Sequence, residues 1–239
     1  MSPSQMLPTD WQLQFDAALT AWASVGQAVL ADEDARADSW ASDFDRMLQV
    51  QRGLEAQGSW LTGPNDLLGI IGLHRWERAH SAALGWLLDP TGAHGLGAAL
   101  LDRFLQRSGL AESNSEEPVE VVLEAAGGTA FVDVLVRSRS WTLVIEVKID
   151  APEQEEQALR LWSDWRDEVT PAFVYLTPSG RETTTHVTGE CKKAWTLLPW
   201  RDVARDLRAL LQSPEAASAR GNDAARQYAM TLQSLFGRN

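Results

Sequence analysis

The chain has 239 residues, of which 44% are hydrophobic, and its net charge at pH 7 is −12. This composition excludes a disordered chain, and the length suggests one large domain or a core with helical additions. The excess of acidic residues argues against a general nucleic-acid coat protein, because phosphate binding depends on Lys and Arg. The single cysteine, Cys191, excludes an intrachain disulfide and a cysteine-rich zinc site. With no apolar run long enough to span a membrane, we expect a protein of the reducing cytoplasm.

Two amphipathic helices are predicted in the first part of the chain, over residues 9–31 and 36–57. Trp22 and Trp40 lie on their apolar stripes and are predicted to be buried, whereas the opposite faces are acidic and should be solvated. Residues 1–60 are therefore expected to form an N-terminal helical layer. A nucleic-acid surface is expected later in the chain, where basic residues outnumber acidic ones.

The remaining predicted elements are five helices and four strands. Helices are predicted at 65–88, about 96–108, 152–168, 197–212 and 222–236. Runs rich in Val and Ile predict strands at 118–124, 129–138, 141–149 and 171–178. The first three strands should form an antiparallel meander, and the fourth should lie parallel to the third because a helix separates them. This order predicts an α/β core over 61–180, with 181–239 as a helical extension packed on it, all in one compact domain.

Charged residues inside these strands require an explanation. Asp133 has apolar neighbours on both faces of its strand, where a carboxylate is costly unless it is paired or bound to a metal. The simple alternative places Asp133 at a strand edge that reaches water. Glu146 and Lys148 share one face of the strand TLVIEVKID, and ordinary alternation would make them a surface ion pair.

The combination of these residues indicates a chemical site. If the two strands pair as a hairpin, Asp133 and Glu146 approach each other at one end, where they repel unless a cation separates them. Two carboxylates suit Mg²⁺, and a neighbouring Lys148 can orient a water or stabilise charge on a phosphate. These groups together support metal-assisted phosphodiester hydrolysis.

Two longer motifs carry a resemblance to a known family. The helix ERAHSAALGWLLDPTGAHGLG (77–97) precedes the strands, and IEVKIDAPEQEEQ (145–157) contains Glu146 and Lys148 and leads into the next helix. The chain resembles a bacterial branch of the PD-(D/E)XK nuclease superfamily over about two-thirds of its length. This likeness implies a restriction-endonuclease-like α/β core, in which helices flank a mixed central sheet of about four strands.

The resemblance also implies a role for individual residues. Asp133 and Glu146 would be metal ligands, with the Val147 carbonyl as a possible third. Lys148 would be the catalytic lysine. The carboxylate of Glu77 would reach the same metal from its helix, and the simple alternative is a surface charge.

Gln157 matches the glutamine of the helix that follows the motif. Leu161 stands where the superfamily often has a tyrosine, and no proline precedes Asp133. His80 and His94 are expected to make structural contacts rather than to bind a metal.

Two classes of function follow. The first is a Mg²⁺-dependent nuclease, with Mn²⁺ as a substitute ion, which cuts nucleic acid and DNA in preference to RNA. The second is a non-catalytic nuclease-fold module that binds protein or nucleic acid in a larger defence or repair assembly. The acidic charge and the Trp-rich helices favour a protein partner or a homodimer, and no membrane contact is expected.

Overall fold

The computed structural model of the protein describes residues 10–59, 63–110, 117–184 and 189–237. The chain divides into two compact units, Met1–Thr62 and Gly63–Asn239. None of the described helices is long and apolar enough to cross a membrane.

Over residues 10–59, the described part of the first unit, the chain forms one helix, α1 (Asp10–Ala56), of 47 residues. The prediction of two helices is wrong, because α1 continues through residues 31–36, where no glycine or proline interrupts good helix formers. The burial predicted for its tryptophans is also wrong, since Trp22 is 77% exposed and Trp40 is 74% exposed. Residue 9, the predicted start of the first helix, lies outside the described residues.

The second unit is built on a mixed sheet of five strands in the order β1-β2-β3-β4-β5. The strands are β1 (Glu120–Ala126), β2 (Phe131–Arg137), β3 (Thr142–Val147), β4 (Pro171–Thr177) and β5 (Trp195–Pro199). The first three are antiparallel, and β4 is parallel to β3 as predicted. β5 was not predicted, and it pairs in parallel with β4 where the sequence pattern indicated the start of a helix.

Helices flank the sheet on both sides. They are α2 (Leu67–Ile70), α3 (Glu77–Leu88), α4 (Ala99–Arg107), α5 (Gln157–Trp165), α6 (Gly189–Ala194), α7 (Trp200–Leu210), α8 (Pro214–Ala217) and α9 (Asn222–Phe236). The helix predicted at 65–88 is interrupted at 71–76, where Gly72 has a φ of 74°. The helix predicted at 152–168 begins only at Gln157, after Glu156 with a φ of 52°.

Each face of the sheet covers its own hydrophobic core. On one face, alternate residues of β3 such as Ile145 pack with α3, α4, α7 and α9. On the other face, Val144 packs with α5 and α6. All six residues of β3 are therefore buried, and Glu146 is only 2% exposed. Simple alternation of a buried and a solvated face does not hold for this strand, so the surface ion-pair alternative is wrong.

Candidate active site

Asp133 lies where β2 and β3 stop pairing. The register of the two strands extends to Val134 opposite Ile145. Beyond that pair, the Val147 N–H donates a 2.7 Å hydrogen bond to Oδ2 of Asp133. The side chain thus takes the place that a backbone carbonyl would hold in a continued ladder. This bond fixes the carboxylate in the opening between the two strands, where Asp133 is half-buried and lines a cleft.

Glu146 is held by two donors on one of its oxygens. Lys148 Nζ and Gln157 Nε2 each donate a 2.6 Å hydrogen bond to Oε1 of Glu146. All three side chains are buried, with at most 9% of their surface exposed. Oε2 of Glu146 is also buried, yet it has no hydrogen-bond partner among the described residues. A buried carboxylate oxygen that accepts no hydrogen bond is costly, and the neighbouring carboxyl of Asp133 adds like charge beside it.

The electrostatics of the site show an excess of negative charge. Burial, followed by the neighbouring charge of Asp133, raises the pKa of Glu146 to about 8. Burial also raises the pKa of Asp133, although its bond from Val147 acts in the opposite direction. Burial lowers the pKa of Lys148, but the carboxylates of Glu146, Glu77 and Asp133 outweigh it and raise that pKa overall. The two strand carboxyls therefore repel each other, and a cation between them would lower the pKa of both, whereas the lysine stays charged.

Glu77 is the first residue of α3, where the helix dipole favours an acid. Its Oε1 accepts hydrogen bonds from the Ile149 N–H at 2.7 Å and the Ala151 N–H at 3.1 Å. The half-buried carboxylate thus contacts the backbone that follows β3, and its charge acts on Lys148 and Asp133. Glu77 is therefore not a free surface charge, and its role as a metal ligand stays a prediction.

The two histidines stabilise the fold around this site. Nε2 of His80 lies 2.8 Å from the His74 carbonyl, so Nε2 carries a proton, and Nδ1 lies 3.1 Å from the Tyr228 hydroxyl. Burial lowers the pKa of His80, which favours the neutral ring. His94 accepts a hydrogen bond from the Leu96 N–H at 3.0 Å and donates to the Asp89 carbonyl at 2.9 Å. Both side chains are fully buried, as expected of structural residues.

The donor set fits a hard divalent cation that keeps much of its water. Among the described residues, no group of three or more His, Cys, Asp and Glu side chains could hold a metal ion. Mg²⁺ does not need such a cage, since it is usually bound by one or two carboxylates and by waters. Asp133 and Glu146 supply two carboxylates, one of them with an oxygen that has no partner. Their raised pKa values show the unfavourable charge that a cation would neutralise.

A comparison with protein families identifies the family of the chain. A family model described as PD-(D/E)XK nuclease superfamily matches residues 65–230. The chain belongs to the PD-(D/E)XK nuclease superfamily. The mixed five-stranded sheet with flanking helices agrees with the restriction-endonuclease-like fold of the superfamily. Comparisons with curated proteins and with solved structures give no match.

Membership in the PD-(D/E)XK superfamily supports a nuclease, and it implies a nucleic-acid substrate. PD-(D/E)XK nucleases generally use divalent metals such as Mg²⁺. The predicted residues Asp133, Glu146, Lys148, Glu77 and Gln157 lie together around the end of β3 in this member.

Two further residues lie beside the candidate site and were not predicted from the sequence. Arg78 lines a cleft of about 490 Å³ together with Asp133, and it forms an ion pair with Glu124. The signal for Arg78 was its position directly after Glu77. Trp200 Nε1 donates a 3.1 Å hydrogen bond to the Lys148 carbonyl. No local signal could identify Trp200, because the contact depends on how α7 packs against the sheet.

Proposed function

We propose that the protein is a Mg²⁺-dependent nuclease that hydrolyses phosphodiester bonds of DNA, and that the end of β3 is its catalytic site. The observation that carries this proposal is the buried carboxylate of Glu146. Its Oε1 accepts from Lys148 and Gln157, whereas its Oε2 has no hydrogen-bond partner among the described residues. A purely structural ion pair would gain nothing from an unpaired buried oxygen.

Asp133 and Glu146 are the proposed metal ligands, and the Val147 carbonyl is a proposed third. Mn²⁺ is expected to substitute for Mg²⁺. A divalent cation there would lower the pKa of a bound water and neutralise charge on the phosphate. Hydrogen bonds within the chain hold the proposed ligands in place. The Val147 N–H fixes Asp133, and Gln157 restricts the rotamer of Glu146 by a 2.6 Å bond.

Lys148 is the proposed catalytic lysine. Its ammonium is buried beside Glu146 and keeps its charge, because three carboxylates raise its pKa. A fixed positive charge with little surrounding water interacts strongly with a phosphate. Lys148 is therefore placed to orient the attacking water and to stabilise the charge that develops on the phosphate.

Glu77 is proposed to complete the acidic set from α3. Its Oε1 accepts from the backbone N–H groups of Ile149 and Ala151, so it also holds the chain beyond Lys148 in place. Arg78 and Asp133 both line the neighbouring cleft of about 490 Å³. We propose that the scissile strand enters the site through this cleft, with Arg78 as a phosphate contact.

The test is a cleavage assay on double-stranded DNA, single-stranded DNA and RNA, with Mg²⁺, with Mn²⁺ and with a chelator. The wild-type protein is expected to cut DNA faster than RNA, and only with a divalent ion. Glu146→Gln and Lys148→Ala should each lower the rate by about a hundredfold or more, which is the usual contribution of such groups. Glu155→Gln is a matched control, since Glu155 is exposed.

Three results would contradict the proposal. Cleavage by Glu146→Gln or Lys148→Ala at the wild-type rate would refute the assignment of the site. Equal rates with and without a chelator would exclude the metal. Binding of nucleic acid or protein without any cleavage by the wild-type protein would favour a non-catalytic module in a larger assembly. Circular dichroism of each variant shows whether a loss of activity is due to unfolding.

A further inference from the structure

Helix α1 leaves an unusually apolar surface uncovered in its own unit. Twelve of its large apolar side chains are each more than half exposed: Trp11, Leu13, Phe15, Leu19, Trp22, Val25, Val29, Leu30, Trp40, Phe44, Met47 and Val50. Helices in proteins are stabilised mainly by packing of an apolar face. An extended apolar surface of this kind marks an interaction site.

Most of these side chains form one stripe, which also contains two charged residues. Its members follow one another at intervals of three or four residues, so they lie on one side of the helix: Phe15, Leu19, Trp22, Val25, Val29, Glu33, Arg36, Trp40, Phe44, Met47, Val50 and Leu54. The mean interval is about 3.5 residues, which is the value for a coiled coil. We call this set the α1 stripe.

The spacings between successive residues of the α1 stripe are the same when counted from either end of the stripe. From Phe15 to Glu33 the stripe advances by 4, 3, 3, 4 and 4 residues. From Leu54 back to Arg36 the intervals are again 4, 3, 3, 4 and 4 residues. The centre of this symmetry falls between Glu33 and Arg36. A surface that is symmetric about its own centre is complementary to a second copy of itself in the antiparallel direction.

The side chains are complementary as well as the spacings. In an antiparallel pair centred between Glu33 and Arg36, each stripe residue lies beside its counterpart: Phe15 with Leu54, Leu19 with Val50, Trp22 with Met47, Val25 with Phe44, Val29 with Trp40, and Glu33 with Arg36. Five of these pairs are apolar, and the sixth has opposite charges. Each apolar pair occurs twice in such an assembly, and so does the ion pair.

The remaining charges also permit this arrangement. Although α1 has many acidic residues, none of them falls opposite another acid when the helices are paired about this centre. Asp32, for example, lies opposite Ala37, and Asp43 lies opposite Gly26. A shift of the pairing by three residues brings Glu33 opposite Glu33 of the other copy, where like charges repel. The Glu33–Arg36 pair therefore disfavours this shifted register.

We propose that α1 is a dimerisation helix, and that the α1 stripe of one chain packs against the α1 stripe of a second copy in an antiparallel, two-fold symmetric pair. The paired stripes extend over about 60 Å, given the rise of an α-helix. Arg36 is available for this contact, because its ion pair with Asp32 is solvent-exposed on both sides and contributes little. The proposal is independent of the nuclease function.

The same pairing could also be satisfied within one chain, if α1 folded back on itself as a helical hairpin. That would require a turn between Glu33 and Arg36. The structure has a continuous helix through residues 31–39, and this segment contains neither glycine nor proline. The second copy is therefore the proposed partner, and the hairpin is a competing outcome of the experiment.

The first test measures the mass of the full chain by analytical ultracentrifugation over a range of protein concentrations. We expect a dimer. Glu33→Arg places two arginines together at both central positions and should weaken the dimer about tenfold or more. The double variant Glu33→Arg with Arg36→Glu exchanges the charges and should restore the dimer. Asp38→Arg is a control with the same change of charge, at a position outside the α1 stripe.

The second test determines the direction of the pairing by disulfide formation. Val29→Cys and Trp40→Cys are prepared as separate proteins, and the native Cys191 is buried. Mixing them should give a disulfide-linked heterodimer, because residues 29 and 40 lie side by side in the proposed pair. A homodimer of either variant should crosslink poorly, since the introduced cysteines of its two copies would be about 16 Å apart along the helix axis.

Four results would overturn the proposal. A monomer at all concentrations would do so, as would an internal disulfide in a monomeric Val29→Cys/Trp40→Cys double variant, which would show the hairpin. Strong crosslinking of Val29→Cys with itself would indicate a parallel pair. A dimer with the same stability in Glu33→Arg as in Asp38→Arg would place the interface elsewhere.

Discussion

Helices α1 and α7 both carry apolar side chains at helical spacing, more sharply segregated in α7, and they differ in what covers these side chains. In α7, the apolar residues Trp200, Val203 and Leu207 are buried against the sheet. In α1, Trp22 and Trp40 are more than 70% exposed. The pattern in a sequence thus predicts which side of a helix is apolar. It does not predict whether that side is covered by the same chain or by another one.

The largest expected effect is the difference in stability between a tryptophan substitution in α7 and one in α1. Trp200→Ala should lower the free energy of unfolding of the second unit by about 3–5 kcal/mol, because it leaves a cavity in a packed core. It also removes the hydrogen bond to the Lys148 carbonyl. Trp22→Ala should leave that free energy unchanged to within about 0.5 kcal/mol. Hydrogen exchange of the β3 and β4 amides in both variants measures this difference.

An equal loss of protection in the two variants would contradict the comparison, since it would mean that Trp22 supports the sheet. The same measurement on Trp40→Ala gives an independent check, because Trp40 lies on the same stripe of α1 and is 74% exposed.

Sequence analysis predicted the part of the fold that depends on local pattern. The four predicted strands and the helix at Asn222–Phe236 are present, because the residues of each segment favour one type of secondary structure and the apolar periodicity agrees with that type. β5 was missed because Trp195–Pro199 becomes a strand only through its pairing with β4. Two of the incorrect helix boundaries lie at Gly72 and Glu156, where positive φ angles end or delay a helix.

The candidate site was predicted because its members stand at fixed positions around one strand. Asp133 and Glu146 are brought together by a hairpin, and Gln157 by the helix that follows β3. Their burial could not be predicted, because it depends on α5 and α6 covering the second face of the sheet. From the strand TLVIEVKID alone, the pair of Glu146 and Lys148 could not be distinguished from a surface ion pair.

A second prediction concerns the ion pair that joins α4 to α7. Nε and Nη2 of Arg107 both donate to Oδ2 of Asp206, at 3.2 and 2.6 Å, and the two side chains are mostly buried. Arg107→Ala should lower the free energy of unfolding by about 1–2 kcal/mol, because it removes the closer charged partner of the Asp206 carboxylate and leaves only Arg205, at 3.8 Å.

Urea denaturation of the wild type and Arg107→Ala gives this difference, and Asp206→Asn should show a smaller loss because its amide oxygen can still accept. A change of zero for Arg107→Ala would show that solvent already screens the pair. The remaining charge of Asp202, 3.7 Å from Arg107, should make the loss larger at low salt than at high salt.

A third prediction uses pH to examine the packing between α3 and α9. Burial lowers the pKa of His80, whose neutral ring contacts Tyr228. Below about pH 6.5 the unfolded chain takes up a proton on this histidine but the folded chain does so less readily. The wild type should therefore lose stability relative to His80→Gln as the pH falls from 7.5 to 5.5, by less than about 1.4 kcal/mol for each pH unit.

Thermal unfolding of both proteins across this range provides the measurement. Asp133 and Glu146 act in the opposite direction, since their raised pKa values favour the folded state at low pH. These carboxyls are present in both proteins, so their effect cancels in the difference. A constant difference across the range would mean that His80 titrates equally in the folded and unfolded chains.

The smallest expected effect comes from an ion pair on α1 itself. Arg46 and Asp43 pair one turn apart on α1, with their side chains 71% and 56% exposed. Arg46→Ala should change the stability of α1 by less than about 0.5 kcal/mol, because water screens exposed pairs. Thermal melting followed by far-ultraviolet circular dichroism, at low and high salt, measures this effect. A loss as large as that of Arg107→Ala would show that a partner buries this side of α1, which would extend the proposed interface beyond the α1 stripe.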